Sequence, residues 1–143
     1  NNLDKKISII PNAIHYNLGV SKLYQLRRVA GDAVTTFNDE KVFKKMLKNS
    51  RVQNSPSIHQ ILGLSIDYLQ KNKIIKKPNK IKIDVDGNEM EVLRGSKKTL
   101  KNNKNLTILV EIKKDKYKEV SNFLRSLKFK LVSHERNNYI WEK

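Results

Sequence analysis

The sequence predicts an α/β fold: a mostly parallel sheet that finishes in an antiparallel hairpin strand. Three observations carry the prediction. Ile81–Val85 alternates apolar with polar or charged residues and runs straight into a helix-like pattern. Leu106–Ile112 is nearly all apolar, as expected of a strand covered on both faces. Lys128–Ser133 and Tyr139–Trp141 flank Asn137-Asn138, a hairpin turn signal. The order strand, helix, strand, helix, hairpin is that of a parallel α/β sheet closed by an antiparallel strand.

The elements follow in order. Lys6–Ile10 is a short apolar run that stops at Pro11, as a buried strand would. Ser21–Leu26 is a second strand, preceded by the turn signal Asn17-Leu18-Gly19. Asp39–Lys48 reads as a helix with Val42, Phe43, Met46 and Leu47 on one face. Asn49–Ser57 is polar, contains a proline and reads as a loop. Ile58–Leu64 reads as a strand, and Ser65 is placed to cap a short helix carrying Ile66 and Leu69. After the Ile81 strand, Asn88–Lys101 is a helix in which Glu89, Leu93, Ser96 and Leu100 share a face. Asp115–Leu127 is a further helix, with Val120, Phe123, Leu124 and Leu127 facing inward. No repeat or domain boundary interrupts 1–143, so the chain reads as one domain.

A chain of 143 residues holds one ordinary core. It has no cysteine, which excludes disulfides and thiolate metal sites. No apolar run approaches the roughly 18 residues of a membrane span, and Asn1–Ile10 has no signal-like apolar region. The expected setting is therefore cytoplasmic and away from membranes. The absence of an initiator methionine suggests processing or a truncated reading frame. The formal charge of +16 raises nucleic-acid binding as a reading. The lysines, however, spread along the whole chain, with one local group at Lys71, Lys73, Lys76 and Lys77. A solvated lysine-rich surface explains them better than a dedicated nucleic-acid face.

The chemistry concentrates in Asp84-Val85-Asp86-Gly87-Asn88-Glu89. Carboxylates at the end of a buried strand sit where α/β enzymes place their sites, beyond the carboxyl ends of the strands. Asp84 is suited to orient a hydroxyl, act as a general base or help bind a divalent cation, or else to cap backbone amides. Asp86 and Glu89 have capping-box spacing, which favours helix capping for Asp86. Glu89 shares the buried face and must find a partner there. Glu111 ends the next strand and lies beside Asp84 if the strands are neighbours; a grip on a polyol hydroxyl and a salt bridge to Lys113 are equal readings. An EF-hand is excluded, because Glu89 and Gly95 stand where that loop needs glycine and glutamate. His15, His59 and His134 have no metal-ligand spacing, and no HExxH, GxSxG or P-loop pattern occurs.

These residues resemble the FkbM-type methyltransferases. The family's strand IKIDVEG or IKIDVDG is matched by Ile81–Gly87, its next acidic position by Glu89, and its EVLKGA helix by Glu91–Ser96. Val110-Glu111-Ile112 matches its following Glu-Ile strand, but Lys113 stands where many members have histidine. Ile7–Ile14 is similar to the third strand of the methyltransferase sheet and the loop after it, and Gly63–Leu69 to the segment leading to the fourth. The resemblance implies a Rossmann-like methyltransferase sheet that lacks its first two strands, since no glycine-rich loop or ribose-binding acid is matched. Gly31-Asp32-Ala33 holds a lone glycine in the wrong place for that loop. It further implies S-adenosylmethionine as cofactor, with Ala13 near it and Asn12 either reaching its adenine amino group or stabilising the turn, and O-methylation of a hydroxyl on a sugar, glycan or natural product, with Asp84, Glu89 and Glu111 as catalytic candidates. A non-catalytic remnant or binding module of the same fold is one alternative, and a basic nucleic-acid-binding domain is another. Losing the first two strands would expose the strand holding Asp84 and favour marginal stability or self-association.

Overall fold

The computed structural model describes residues 6–26, 35–49 and 56–143. The Gly31-Asp32-Ala33 stretch and residues 50–55 of the expected loop lie outside the described residues. In chain order the elements are β1 (Ala13–Ile14), β2 (Gly19–Gln25), β3 (Thr35–Phe37), α1 (Glu40–Asn49), β4 (Ser57–Leu64) and α2 (Ile66–Lys71). Then come β5 (Lys80–Ile83), α3 (Glu89–Arg94), α4 (Lys97–Asn102) and β6 (Thr107–Glu111). A 3-10 turn at Lys114–Lys116 leads into α5 (Tyr117–Ser126), and β7 (Lys130–Glu135) and β8 (Asn138–Glu142) close the chain.

The α/β class holds, but the single mostly parallel sheet does not. The strands form two four-stranded sheets, ordered β1-β4-β2-β3 and β5-β6-β8-β7. Among the described residues only β1 with β4 and β5 with β6 pair in parallel. In the first sheet β2 lies antiparallel to β4 along its whole length, from Gly19 opposite Gly63 to Gln25 opposite Ser57. That ladder takes one edge of β4, and the two-residue β1 takes the other. The expected strand at Lys6–Ile10 is irregular chain; Ile9 lies exposed and pairing begins only at Ala13.

The second sheet carries the main core. Leu93, Leu100, Ile108, Val110, Leu124 and Trp141 are fully buried in it. Each such side chain contributes roughly 1.5–3 kcal/mol of burial. The inward residues of β6 are Ile108 and Val110, while Thr107, Leu109 and Glu111 are half-buried. One face of this strand is thus covered completely and the other in part, short of the double cover its composition suggested. Among the described residues β5 stands at the sheet edge, with β6 its single neighbour.

Local chemistry explains the helix boundaries. Asp39 Oδ1 accepts from the Val42 amide at 2.9 Å and starts α1. Ser65 Oγ accepts from the Tyr68 amide at 3.1 Å, the expected cap of α2. The expected single helix from Asn88 to Lys101 is broken at Gly95-Ser96 into α3 and α4. A side chain at Gly95 would place its Cβ 3.0 Å from the His15 carbonyl oxygen and the Tyr16 Cα, so glycine allows the close approach there. The new helix start at α4 is capped from α2: Asp67 accepts from the Lys98 amide at 2.9 Å and the Thr99 amide at 2.7 Å. Glu89, Leu93, Ser96 and Leu100 nevertheless all remain buried, as their spacing predicted.

Candidate functional site

The parallel pairing of Ile83 with Val110 brings the next residues, Asp84 and Glu111, side by side beyond the strand ends. Their carboxyl groups lie close enough for each to shift the titration of the other. The Lys82 ammonium lies 2.9 Å from Asp84 Oδ2. Lys82 and the Glu111 carboxyl hold Asp84 below the usual carboxylate range. Glu111 is pushed up by the Asp84 carboxylate first, then by burial and by the charges of Asp84, Asp86 and Glu89. The pair therefore presents several carboxyl oxygens to the solvent side, with the proton affinity of Glu111 raised above that of Asp84.

After Asp84 the chain turns sharply. Asp86 has φ 48° and Gly87 φ 108°, two successive residues outside the usual right-handed region. Aspartate tolerates the first of these and glycine the second. The turn is held from both sides. Glu89 Oε1 accepts from the Gly87 amide at 2.8 Å. Asn88 Nδ2 donates to Thr36 Oγ1 at 3.0 Å and to the Phe37 carbonyl at 3.4 Å, fastening the turn to β3. Asp86 does not cap the helix as its spacing suggested. The N-cap position of α3 is Asn88, and the Glu89 half of the capping box bonds Gly87 instead.

Between the two sheets opens a cleft of about 520 Å³. Asn12, Ala13 and Ile14 line one side, the β2–β3 and β4 residues Leu23, Thr36, Phe37 and Ile61 another, and Asp84, Val85, Asp86 and Asn88 a third. Of the sequence-predicted residues, Asn12, Ala13 and Asp84 meet in this cleft, and Glu111 adjoins it through Asp84. Glu89 does not line it; it borders a separate hollow of about 120 Å³ with Val42 and Lys116. Asp86, Asn88 and Thr36 join the cleft without having been singled out as site residues. Asp86 carried a signal, its place in the acidic turn. Thr36 carried none, because its contact with Asn88 spans 52 positions. Burial pushes the Asp86 carboxyl up, with Lys113 opposing and Asp84 assisting. Among the described residues no group of three or more metal-ligating side chains forms a cation site.

The family model described as the methyltransferase FkbM domain matches residues 11–135. The chain belongs to the FkbM methyltransferase domain family. The match takes in β1 through β7, and with them every residue that lines the cleft except Ile10. A search of curated proteins and a search of solved structures each returned no match. Within this FkbM domain, Lys113, at the position where many members have histidine, acts electrostatically on Asp86. No described helix is long and apolar enough to cross a membrane.

Proposed function

We propose that the cleft is the site of an S-adenosylmethionine-dependent O-methyltransferase acting on a hydroxyl of a sugar, glycan or natural product. The observation that carries this reading is the meeting of Asn12, Ala13 and Asp84 in one cleft of an FkbM-family chain. The volume lies within the range of small-molecule sites, roughly 300–1,000 Å³.

The residues present fit the adenine amino group and the sulfonium of the cofactor. Asn12 Nδ2 donates to the Leu62 carbonyl at 3.2 Å, which leaves Oδ1 to accept from an adenine amino group. Asp84 and Asp86 give the cleft the negative character that suits a sulfonium cation. When bound, the cofactor supplies an electrophilic methyl carbon and a neutral thioether leaving group. The chain's own task is to orient the acceptor and manage its proton. The Asp84–Glu111 pair offers carboxyl oxygens for one hydroxyl, and the apolar side chains Leu23, Phe37 and Ile61 line the cleft. A divalent cation has no support beyond the carboxylates themselves.

One observation favours a non-catalytic binding module instead: the five glycines stand apart in the sequence and form no glycine-rich loop. Radiolabelled methyl transfer to pooled hydroxylated glycans and natural products separates the two. Transfer that falls in Asp84→Asn supports the enzyme; cofactor binding without transfer to any acceptor favours the module.

A further inference from the structure

We propose that Asp86 is the residue that takes the proton from the acceptor hydroxyl. The inference rests on the methyltransferase reading above and assigns a role that reading leaves open. Four features of the structure point to Asp86 over Asp84. First, Asp86 lines the cleft and is partly buried, while Asp84 is 46% exposed at its rim. Second, Asp84 is already engaged by Lys82 at 2.9 Å and by Glu111, whereas Asp86 has no hydrogen bond or ion pair among the described residues. Third, the backbone at Asp86 and Gly87 adopts positive φ, an arrangement stored at functional turns when the surroundings enforce it. Fourth, the enforcing contact is present: the Asn88 amide, 7% exposed, is bonded to Thr36, 2% exposed.

Burial raises Asp86 towards the working pH of a general base, while Lys82 draws Asp84 away from it. The charged groups acting on Asp86 are Lys113, from the segment after β6, and Asp84, at the end of β5. In the step, the acceptor O–H bond breaks and its proton passes to a carboxylate oxygen of Asp86. The electron pair left on oxygen forms the new O–C bond as the C–S pair departs on the thioether sulfur. The proton then leaves Asp86 to water. Asn88 and Thr36 act as positioning residues that keep Asp86 in the cleft.

Carboxyl-carbon NMR titration of the whole chain tests this, with and without S-adenosylmethionine, alongside calorimetry of the same addition. Asp86 is expected to titrate above Asp84, and its midpoint is expected to fall when the sulfonium cation binds. Asn88→Ala and Thr36→Val are expected to return Asp86 towards an ordinary carboxylate, with Thr36→Ser keeping the raised value. A purely structural tie would lower the Tm of these variants and leave the Asp86 midpoint where it was, which would overturn the positioning role. If the cofactor binds and Asp86 does not respond, Asp86 is not at the transfer site and the proposal fails alone. If calorimetry shows no cofactor binding, the methyltransferase reading fails and the proposal falls with it.

Discussion

Asp84 and Glu111 are adjacent carboxyl groups whose titrations have been driven apart. A carboxylate held below its ordinary value stabilises the fold above the unfolded-state pKa and loses that contribution as pH falls through the folded value. Asp84 is of this kind. A carboxyl held above its ordinary value contributes below the unfolded-state pKa and loses the contribution as pH rises through the folded value. Glu111 and Asp86 are of this kind. Asp84→Asn is therefore expected to lower the Glu111 midpoint, since the largest cause of its rise is removed; NMR titration of Glu111 reads this directly. Gly87 gives a second prediction. An added Cβ would meet nothing nearer than Val42 Cγ1 at 3.9 Å, so space is not the obstacle. The φ of 108° is. Gly87→Ala is expected to cost about 1–3 kcal/mol, measured by urea denaturation, and an unchanged midpoint would show that the turn can relax.

At the scale of elements, the second half of the chain was readable because its signals are local. The Ile81 strand, the Val120–Leu124 helix face and the hairpin around Asn137 each carry their pattern within a few residues. Even there the turn falls one residue early, at Arg136-Asn137, with Arg136 taking φ 54°. The Gly95 break was hidden because its causes lie elsewhere, in the His15 backbone and the Asp67 cap. Ser65→Ala removes a side-chain cap and is expected to cost about 1 kcal/mol. Asp67→Ala removes a cap contributed by another helix and is expected to fray α4. Amide exchange at Lys98 and Thr99 checks this; protection equal to that of the parent chain would show that the cap is dispensable.

At the scale of the molecule, sequence periodicity yields strands but not their partners. The expected continuous sheet became two because β2 and β4 pair antiparallel across the segment that holds β3 and α1, a choice made by non-local ladder bonds. The same non-locality hid the wall of the cleft formed by Leu23, Phe37 and Ile61. Two properties follow from the surface. The edge position of β5 predicts concentration-dependent association, opposed by the charge of +16, so light scattering should show association rising with added salt. Nucleic-acid binding, in contrast, is expected to be weak, indifferent to sequence and steeply weakened by salt.

The cleft between Asn12 and Asp86 is proposed to receive a sulfonium methyl donor. The most direct measurement is amide chemical-shift mapping of the chain during titration with S-adenosylmethionine. Saturable shifts are expected, concentrated at Asn12, Ala13 and Asp84–Asn88 and reduced in Asp84→Asn. Shifts absent from these residues at saturating cofactor, or spread over the lysine-rich surface and abolished by salt, would contradict it.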